Sequence, residues 1–119
     1  MILVDTSVWI DHLRHGDAIL TGLLERGRVL GHPFVLGEIA TGSLRQRAII
    51  LGALRGLPQA IVARDPEVLD FIEREILFGT GLGYVDIHLL ASVRLTAGAL
   101  LLTRDRRLLA AAGRMLVAA

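Results

Sequence analysis

Four acidic side chains stand among apolar residues at points where a metal-dependent catalytic site could form. They are Asp5, Glu38, Asp86 and Asp105. Two carboxylates about 4 Å apart repel by roughly 4 kcal/mol at an effective dielectric constant near 20, so four acids brought together favour binding of a cation. Ligands that are all oxygen atoms are typical of Mg²⁺ or Mn²⁺ rather than of zinc. The acids therefore predict a Mg²⁺ site, with Mn²⁺ also possible, at which a bound water could be activated for hydrolysis.

Each of these acids also has a simpler explanation. Asp5 and Asp105 each precede a helical pattern, and either could serve only as the N-cap of that helix. Asp86 lies in a first helical turn, where the helix dipole alone favours a negative charge. Glu38 could face solvent. The metal-site interpretation depends on all four converging at one end of the fold.

Short apolar runs alternate with helical patterns along the chain, which decides where the acids would lie. The predicted strands are Ile2–Val4, Val29–Gly31, Ala60–Ala63, Ala99–Thr103 and, as a short edge strand, Met115–Ala118. Continuously apolar strands separated by helices are typical of a parallel sheet covered on both faces. We expect one α/β domain over residues 1–119, with a central parallel sheet of four to five strands flanked by helices. Ligands bind beyond the carboxyl ends of such strands, where Asp5 and Asp105 fall.

Capping residues and the spacing of apolar residues place the helices between these strands. The predicted helices begin at Thr6 or Ser7 and end at Gly16, and then cover residues 17–27, 33–41, 43–56, 65–78, 84–97 and 105–112. Glu38 lies inside the helix 33–41, and Asp86 opens the most apolar helix. The segment Gly79–Gly83 follows a helix rather than a strand, so we interpret it as a hinge and not as a phosphate-binding loop.

The composition excludes several classes of protein. The chain has no cysteine, which rules out disulfides, zinc–thiolate sites and a cysteine nucleophile, and agrees with a cytoplasmic location. All 13 basic side chains are arginine, so a P-loop lysine and Schiff-base chemistry are excluded. No apolar run reaches the ~18 residues of a membrane span, and no membrane partner is expected. The mean hydropathy of +0.58 predicts either an unusually apolar core or a surface covered by a partner.

Four segments, taken together and in order, resemble the PIN-domain family. They are Val4-Asp5-Thr6-Ser7, the isolated Glu38, Tyr84-Val-Asp86-Ile-His-Leu-Leu-Ala-Ser92 and Leu-Leu-Thr103-Arg-Asp105-Arg-Arg-Leu108. The resemblance covers the whole chain, and within the family the chain is similar to the VapC toxins of bacterial toxin–antitoxin pairs. The resemblance implies a three-layer PIN-like fold and a metal-dependent endoribonuclease. It implies that the four acids are the catalytic and metal-holding residues, with Thr6 and Thr103 as supporting hydroxyls.

The resemblance also implies partners. They are an RNA substrate, a VapB-type antitoxin that inhibits the enzyme, operator DNA reached only through that antitoxin, and a second copy of the chain in a homodimer. For the dimer we expect contacts through Asp65–Phe78 and Gly79–Gly83. For the antitoxin we expect a groove between helices that carry Trp9, Ile10, Leu13, Leu20, Leu23 and Leu24.

Three arginines adjoin the last acid, namely Arg104, Arg106 and Arg107. They could bind RNA phosphates, although a solvated arginine face explains them equally well. His88, two residues after Asp86, is interpreted as structural or partly buried. The RNA that would be cut is not specified by the sequence, because recognition of RNA depends on shape and loops.

Two other protein classes need residues that this chain lacks. A signalling receiver domain needs an active-site lysine, which the chain lacks. A haloacid-dehalogenase-type phosphatase needs a second aspartate two residues after the first, where this chain has Ser7. A PIN fold that binds RNA or a partner without cutting remains the alternative. The complete set of four acids argues against it, because a binding module does not need to sustain their repulsion.

Overall fold

The computed structural model describes all residues from Met1 to Ala119 as an α/β fold with three strands and seven helices. The strands are β1 (Ile2–Val4), β2 (Val29–Leu30) and β3 (Leu100–Leu102). The helices are α1 (Thr6–His15), α2 (Ala18–Glu25), α3 (Pro33–Ala40), α4 (Arg47–Arg55), α5 (Asp65–Arg74), α6 (Tyr84–Leu95) and α7 (Arg106–Arg114). None of the helices has the length and apolar character that crossing a membrane requires.

The three strands form one parallel sheet in the order β2-β1-β3. Ile2 of the central strand pairs with Val29 on one side and with Leu100 on the other. Leu3 and Val4 point to opposite faces of the sheet, and both are fully buried. Helices therefore cover both faces, as the uninterrupted apolar strands predicted.

The prediction of four to five strands was wrong, because two predicted strands form only isolated bridges. The segment Ala60–Ala63 is not a strand, and its neighbour Gln59 makes one bridge with Gly31. Ala60 and Ala63 are buried, but the Ile61 and Val62 side chains are 53% and 43% exposed, unlike those of a strand covered on both faces. At the other edge, Ala118 makes one bridge with Leu101.

Left-handed backbone at two positions explains further differences from the predicted elements. Leu116 has φ 61°, which interrupts the extended course predicted for Met115–Ala118. The helix predicted over 65–78 ends at Arg74 because Ile76 has φ 53° and the Leu77 amide turns back to the Ile72 carbonyl at 2.9 Å. This turn buries Leu77 and leaves Ile76 and Phe78 exposed.

Caps fix the ends of the helices that matter for the acids. Asp5, rather than Thr6 or Ser7, is the N-cap of α1, and Asp105 is the N-cap of α7. Asp17 caps α2 as predicted. Ser43 does not cap the next helix, since α4 begins only at Arg47. The residues between Thr41 and Arg47 form turns, which lengthens the connection from α3 to α4.

Candidate active site

The Asp5 carboxylate is held at the carboxyl end of β1 by three hydrogen-bond donors. Oδ1 accepts from the Thr6 amide at 2.8 Å, while Oδ2 accepts from the Ser7 and Thr103 hydroxyls, each at 2.8 Å. The Asp5 amide donates to the Leu102 carbonyl of β3 at 2.9 Å, which ties the adjacent strand ends together. Asp5 is the most buried of the four acids, and its orientation is fixed by the sheet.

Two threonine hydroxyls connect the remaining strand-end and helix acids. Thr6 Oγ1 donates to Glu38 Oε1 at 2.7 Å, which links α1 to α3. Thr103 Oγ1, besides donating to Asp5, accepts from the Asp105 amide at 3.1 Å. Asp105 Oδ1 in turn accepts from the Leu108 amide at 2.9 Å as the cap of α7. Asp105 caps α7 through Oδ1 alone, so its Oδ2 has no partner in the protein and capping does not exclude Asp105 from the acid group.

The Asp86 carboxyl is influenced by the charges of the other three acids. Its Oδ2 accepts from the Gly83 amide at 3.2 Å in the first turn of α6. Burial is the largest cause that raises the pKa of the Asp86 carboxyl above its usual value, and the charges of Asp5, Asp105 and Glu38 raise it further. The hydrogen bond from Gly83 opposes this rise. Asp86 is thus close enough to feel all three of the other predicted site acids.

The donor set suits a hard divalent cation, although the side chains are not gathered around one point. No three His, Asp or Glu side chains lie close enough together to bind one metal ion in the positions that they occupy. The acids and hydroxyls offer only oxygen atoms, and their mutual repulsion on Asp86 is what a cation would remove. Asp86 is only half-buried, and Glu38 and Asp105 are exposed, so these three carboxylates have room to rotate toward an ion.

The three arginines near Asp105 differ in their surroundings. The Arg104 guanidinium is paired with Asp11, at 2.7 Å, and with Asp17. The Arg107 guanidinium lies over Gly81, where a Cβ would come within 2.7 Å of its Nη1 and where φ is +82°. The positive φ favours glycine at position 81, whereas the flexible Arg107 side chain can move away from a Cβ there. Arg106 and Arg107 form no ion pair within the protein, whereas Arg104 forms two.

Two buried histidines lie beside the acids, and only one of them was considered from the sequence. His88 is buried, which confirms its interpretation as structural or partly buried. His32, the N-cap of α3, was missed. A histidine directly before Pro33 in the first turn of a helix is a signal for a cap, but it does not reveal that the ring also reaches Ser92 of α6 at 2.9 Å.

A groove of about 620 Å³ runs between α1 and the segment from α3 to α4. Its apolar walls are Ile10, Leu13, Ile39, Leu44 and Ile50, and Arg14, Arg45 and Glu38 also line it. The groove expected from the sequence was partly wrong, because Trp9 and Leu20 are buried in the core and Leu23 and Leu24 do not line the groove, whereas Ile10 and Leu13 do. Amphipathic helices hide their most apolar face, so the residues left for a partner are fewer than the pattern indicates.

The family model described as the PIN domain matches residues 2–114. Two curated relatives are each named "Ribonuclease VapC32", one from Mycobacterium tuberculosis strain CDC 1551 / Oshkosh and one from strain ATCC 25618 / H37Rv. The chain is 52% identical to each over 111 residues, which are 93% of this chain and 90% of the relative.

Proposed function

This chain belongs to the PIN-domain family, and on that premise we propose that it is a Mg²⁺-dependent endoribonuclease of the VapC type, the toxin of a toxin–antitoxin pair. Its relatives at 52% identity are named as ribonucleases. The observation that best supports a catalytic metal site is the raised pKa of Asp86, because three further acids cause part of that rise. A fold without a cation gains nothing from such repulsion.

We assign the ion, Mg²⁺ or Mn²⁺, to Asp5, Glu38, Asp86 and Asp105. When bound, it would supply a water of lowered pKa and would neutralise charge on the phosphate under attack. Asp5 is the fixed member, since three donors orient its carboxylate. Thr6 and Thr103 are the supporting hydroxyls, because they orient Glu38 and Asp5. The ion would relieve the repulsion from the other acids that helps to raise the pKa of Asp86.

The substrate is RNA, and arginines beside Asp105 bind its phosphates in this proposal. Arg106 and Arg107 are exposed and free of ion pairs, so each can approach a phosphate without breaking a contact with an acid. Arg104 is held by Asp11 and Asp17, and its contact with RNA would require both ion pairs to open. We therefore assign the phosphate contacts to Arg106 and Arg107 before Arg104.

The inhibitor in this proposal is a VapB-type antitoxin that docks in the groove between α1 and the α3–α4 segment. Ile10, Leu13 and Ile50 suit the apolar face of an amphipathic helix. Glu38 lines the same groove, so an arginine of the antitoxin could reach the acids from there. Operator DNA would be reached only through the antitoxin, and a cytoplasmic location follows from this role.

Self-association is the remaining part of the proposal. The stretch between α4 and α6 exposes several large apolar side chains, namely Ile61, Val62, Leu69, Ile76 and Phe78. A stable interface usually removes at least ~1,000 Å² of surface from water, and this stretch would supply part of it. We assign the homodimer to this face, which overlaps the predicted contacts at Asp65–Phe78. A monomer at micromolar concentration in sedimentation would contradict the assignment.

The test is cleavage of RNA by the purified protein. We expect Mg²⁺-dependent cleavage that stops with EDTA and is absent in Asp5→Ala and in Asp105→Asn, whereas the exposed acid variant Asp70→Asn cleaves as the parent does. Cleavage that survives EDTA would overturn the metal mechanism.

The alternative, a PIN module that binds RNA or a partner without cutting, is favoured by one observation, namely that no three acids are gathered at metal-binding distance. It predicts Mg²⁺-independent RNA binding and no cleavage product in the same experiment.

A further inference from the structure

The two helices that carry Glu38 and Asp86 are joined by a buried contact of four side chains, which we call the α3–α6 seam. It consists of His32, Phe34, His88 and Ser92. His32 is 2% exposed, His88 1% and Ser92 0%, so the polar half of the seam is withdrawn from water. Buried polar groups are tolerated when they are hydrogen-bonded, and their hydrogen bonds impose a direction that apolar contacts do not.

The hydrogen bond between the helices has a defined direction. The Phe34 amide donates to His32 Nδ1 at 3.0 Å, and an amide can only donate, so Nδ1 accepts. The proton of the neutral ring is then on Nε2, which donates to Ser92 Oγ at 2.9 Å. Burial, and to a smaller extent His88, lowers the pKa of His32 to about 4, in agreement with a neutral ring. One imidazole thus caps α3 and ties it to α6.

The second contact of the seam is aromatic. The Phe34 ring meets the His88 ring edge-on, with centroids 4.6 Å apart, and Tyr84 meets His88 from α6 at 4.8 Å. His88 Nε2 lies 3.3 Å from Asp65 Oδ1, which also accepts from the Tyr84 hydroxyl at 2.8 Å. His88 is therefore held on three sides, while its Nδ1 is buried without a partner.

The order of the contacts along the seam gives the direction of α3 relative to α6. His32 meets Ser92, and Phe34, two residues later, meets His88, one turn earlier on α6. The two helices therefore run in opposite directions along the seam. Glu38 lies one turn beyond Phe34 on the same face of α3, so its course continues toward the first turn of α6, where Asp86 lies.

We propose that the α3–α6 seam sets the separation of the Glu38 and Asp86 carboxylates, and that His32 and Ser92 are positioning residues for the divalent cation. This assignment rests on the proposed function, because it concerns the same four acids. Neither residue offers a ligand to the ion. Partners hydrogen-bonded directly to metal ligands change metal affinity by about 10- to 100-fold when removed, and His32 and Ser92, which contact neither acid, belong at the lower end of that range.

The hydrogen bond can be broken from either side without removing an acid. Ser92→Ala removes the acceptor on α6. His32→Asn keeps a side chain that can cap α3 but is too short to reach Ser92. Ser92→Thr retains the hydroxyl and is the conservative variant. Val93→Ala is the matched control, since Val93 is a buried neighbour on the same helix and makes no polar contact.

The measurement is the Mg²⁺ dissociation constant, taken from calorimetry and from the Mg²⁺ dependence of the melting temperature, alongside kcat at saturating Mg²⁺. We expect Ser92→Ala and His32→Asn each to weaken Mg²⁺ binding about tenfold with kcat at saturation near that of the parent. The double variant should be no weaker than the single variants, because both remove the same bond. Ser92→Thr should restore binding, and Val93→Ala should lower the melting temperature without changing the Mg²⁺ dissociation constant.

Two results would overturn the assignment of the seam while leaving the ribonuclease proposal intact. In the first, the parent protein binds Mg²⁺ and cleaves RNA, and the His32→Asn and Ser92→Ala variants bind Mg²⁺ with the same affinity as the parent. In the second, the Val93→Ala control loses as much Mg²⁺ affinity as those variants do. A parent that neither binds Mg²⁺ nor cleaves RNA would instead overturn the proposed function itself.

Discussion

The strand side and the helix side of the acid group are built differently. On the strand side, Asp5 is buried and accepts three hydrogen bonds, two of them from the first turn of α1 and one from Thr103 at the neighbouring strand end. On the helix side, Glu38 and Asp86 each accept one hydrogen bond and remain in contact with solvent. The sheet fixes the first group, whereas packing between α3 and α6 fixes the second.

This difference divides the work of the site between a rigid part and an adjustable part. Parallel strands leave little freedom at their carboxyl ends, because neighbouring backbones are hydrogen-bonded up to the last residue. We propose that the Glu38 and Asp86 side chains rotate toward a fixed Asp5 when an ion binds, while the α3–α6 seam holds their backbones in place.

The largest effect is expected at Asp5. Asp5→Ala should abolish cleavage and also lower the free energy of unfolding by about 3 kcal/mol, because the Thr6 amide and the Ser7 and Thr103 hydroxyls lose their acceptor. Chemical denaturation in EDTA measures this change. A variant as stable as the parent would show that the strand side is not held through this carboxylate.

Asp86→Asn should also abolish cleavage but should leave stability in EDTA unchanged or raised. The variant removes a charge that burial and three acids disfavour, so the fold loses a source of strain. Mg²⁺ should raise the melting temperature of the parent more than that of the variant. Equal stabilisation of both proteins by Mg²⁺ would place Asp86 away from the ion.

The free energy of unfolding should also depend on pH, through the buried His32 ring. The pKa of His32 is lowered to about 4 in the folded protein, so the unfolded chain binds the extra proton between its ordinary value of 6.5 and that lower value. Stability should therefore fall by about 2 kcal/mol as the pH drops from 6.5 to 4, and level off below the folded pKa. The Asp86 carboxyl, with its raised pKa, acts in the opposite sense.

The contribution of His32 is obtained as a difference between two proteins. His32→Asn keeps Asp86 and removes only the buried imidazole, so the gap in unfolding free energy between parent and variant should change across this pH range. Parallel stability curves for the two proteins would show that the ring does not take up a proton on unfolding.

The smallest effects concern the arginines. Arg107→Ala should weaken RNA binding by a few-fold and reduce the slope of its salt dependence by about 1, since one phosphate contact is lost. Arg104→Ala should leave that slope unchanged, because its guanidinium is engaged by Asp11 and Asp17. Filter binding over a range of salt concentrations distinguishes them. Equal slopes for both variants would remove the distinction between these arginines.

The strand side could be predicted from the sequence and the seam could not. An acid directly after an apolar run, as at Asp5, marks a strand end, and topology then gives its place in the fold. The bond from His32 to Ser92 joins residues that are 60 positions apart, and no local pattern encodes it. Convergence of the acids on a bound ion stays a prediction, since the positions that they occupy do not yet form a binding group.

The incorrect prediction of a strand at Ala60–Ala63 has a different explanation. The segment Ala60–Ala63 has the composition of a buried strand, but Ile61 and Val62 are exposed. The Ile61 amide donates to the Thr96 hydroxyl at 2.9 Å rather than to a neighbouring strand. An apolar run indicates that its side chains are more stable when buried, but it does not indicate whether the same chain or a second molecule buries them. A strand of the sheet and a surface for a partner therefore have the same sequence signal.

Glu38 takes part in two candidate binding sites. It accepts a hydrogen bond from Thr6 within the acid group, and it also lines the groove beside α1. A residue shared between two binding sites makes their ligands thermodynamically linked. Whatever factor an occupant of the groove imposes on the affinity for the cation, the cation must impose on the occupant. An occupant that takes up the Glu38 carboxylate competes with the ion for it, so inhibition of that kind would weaken as free Mg²⁺ rises.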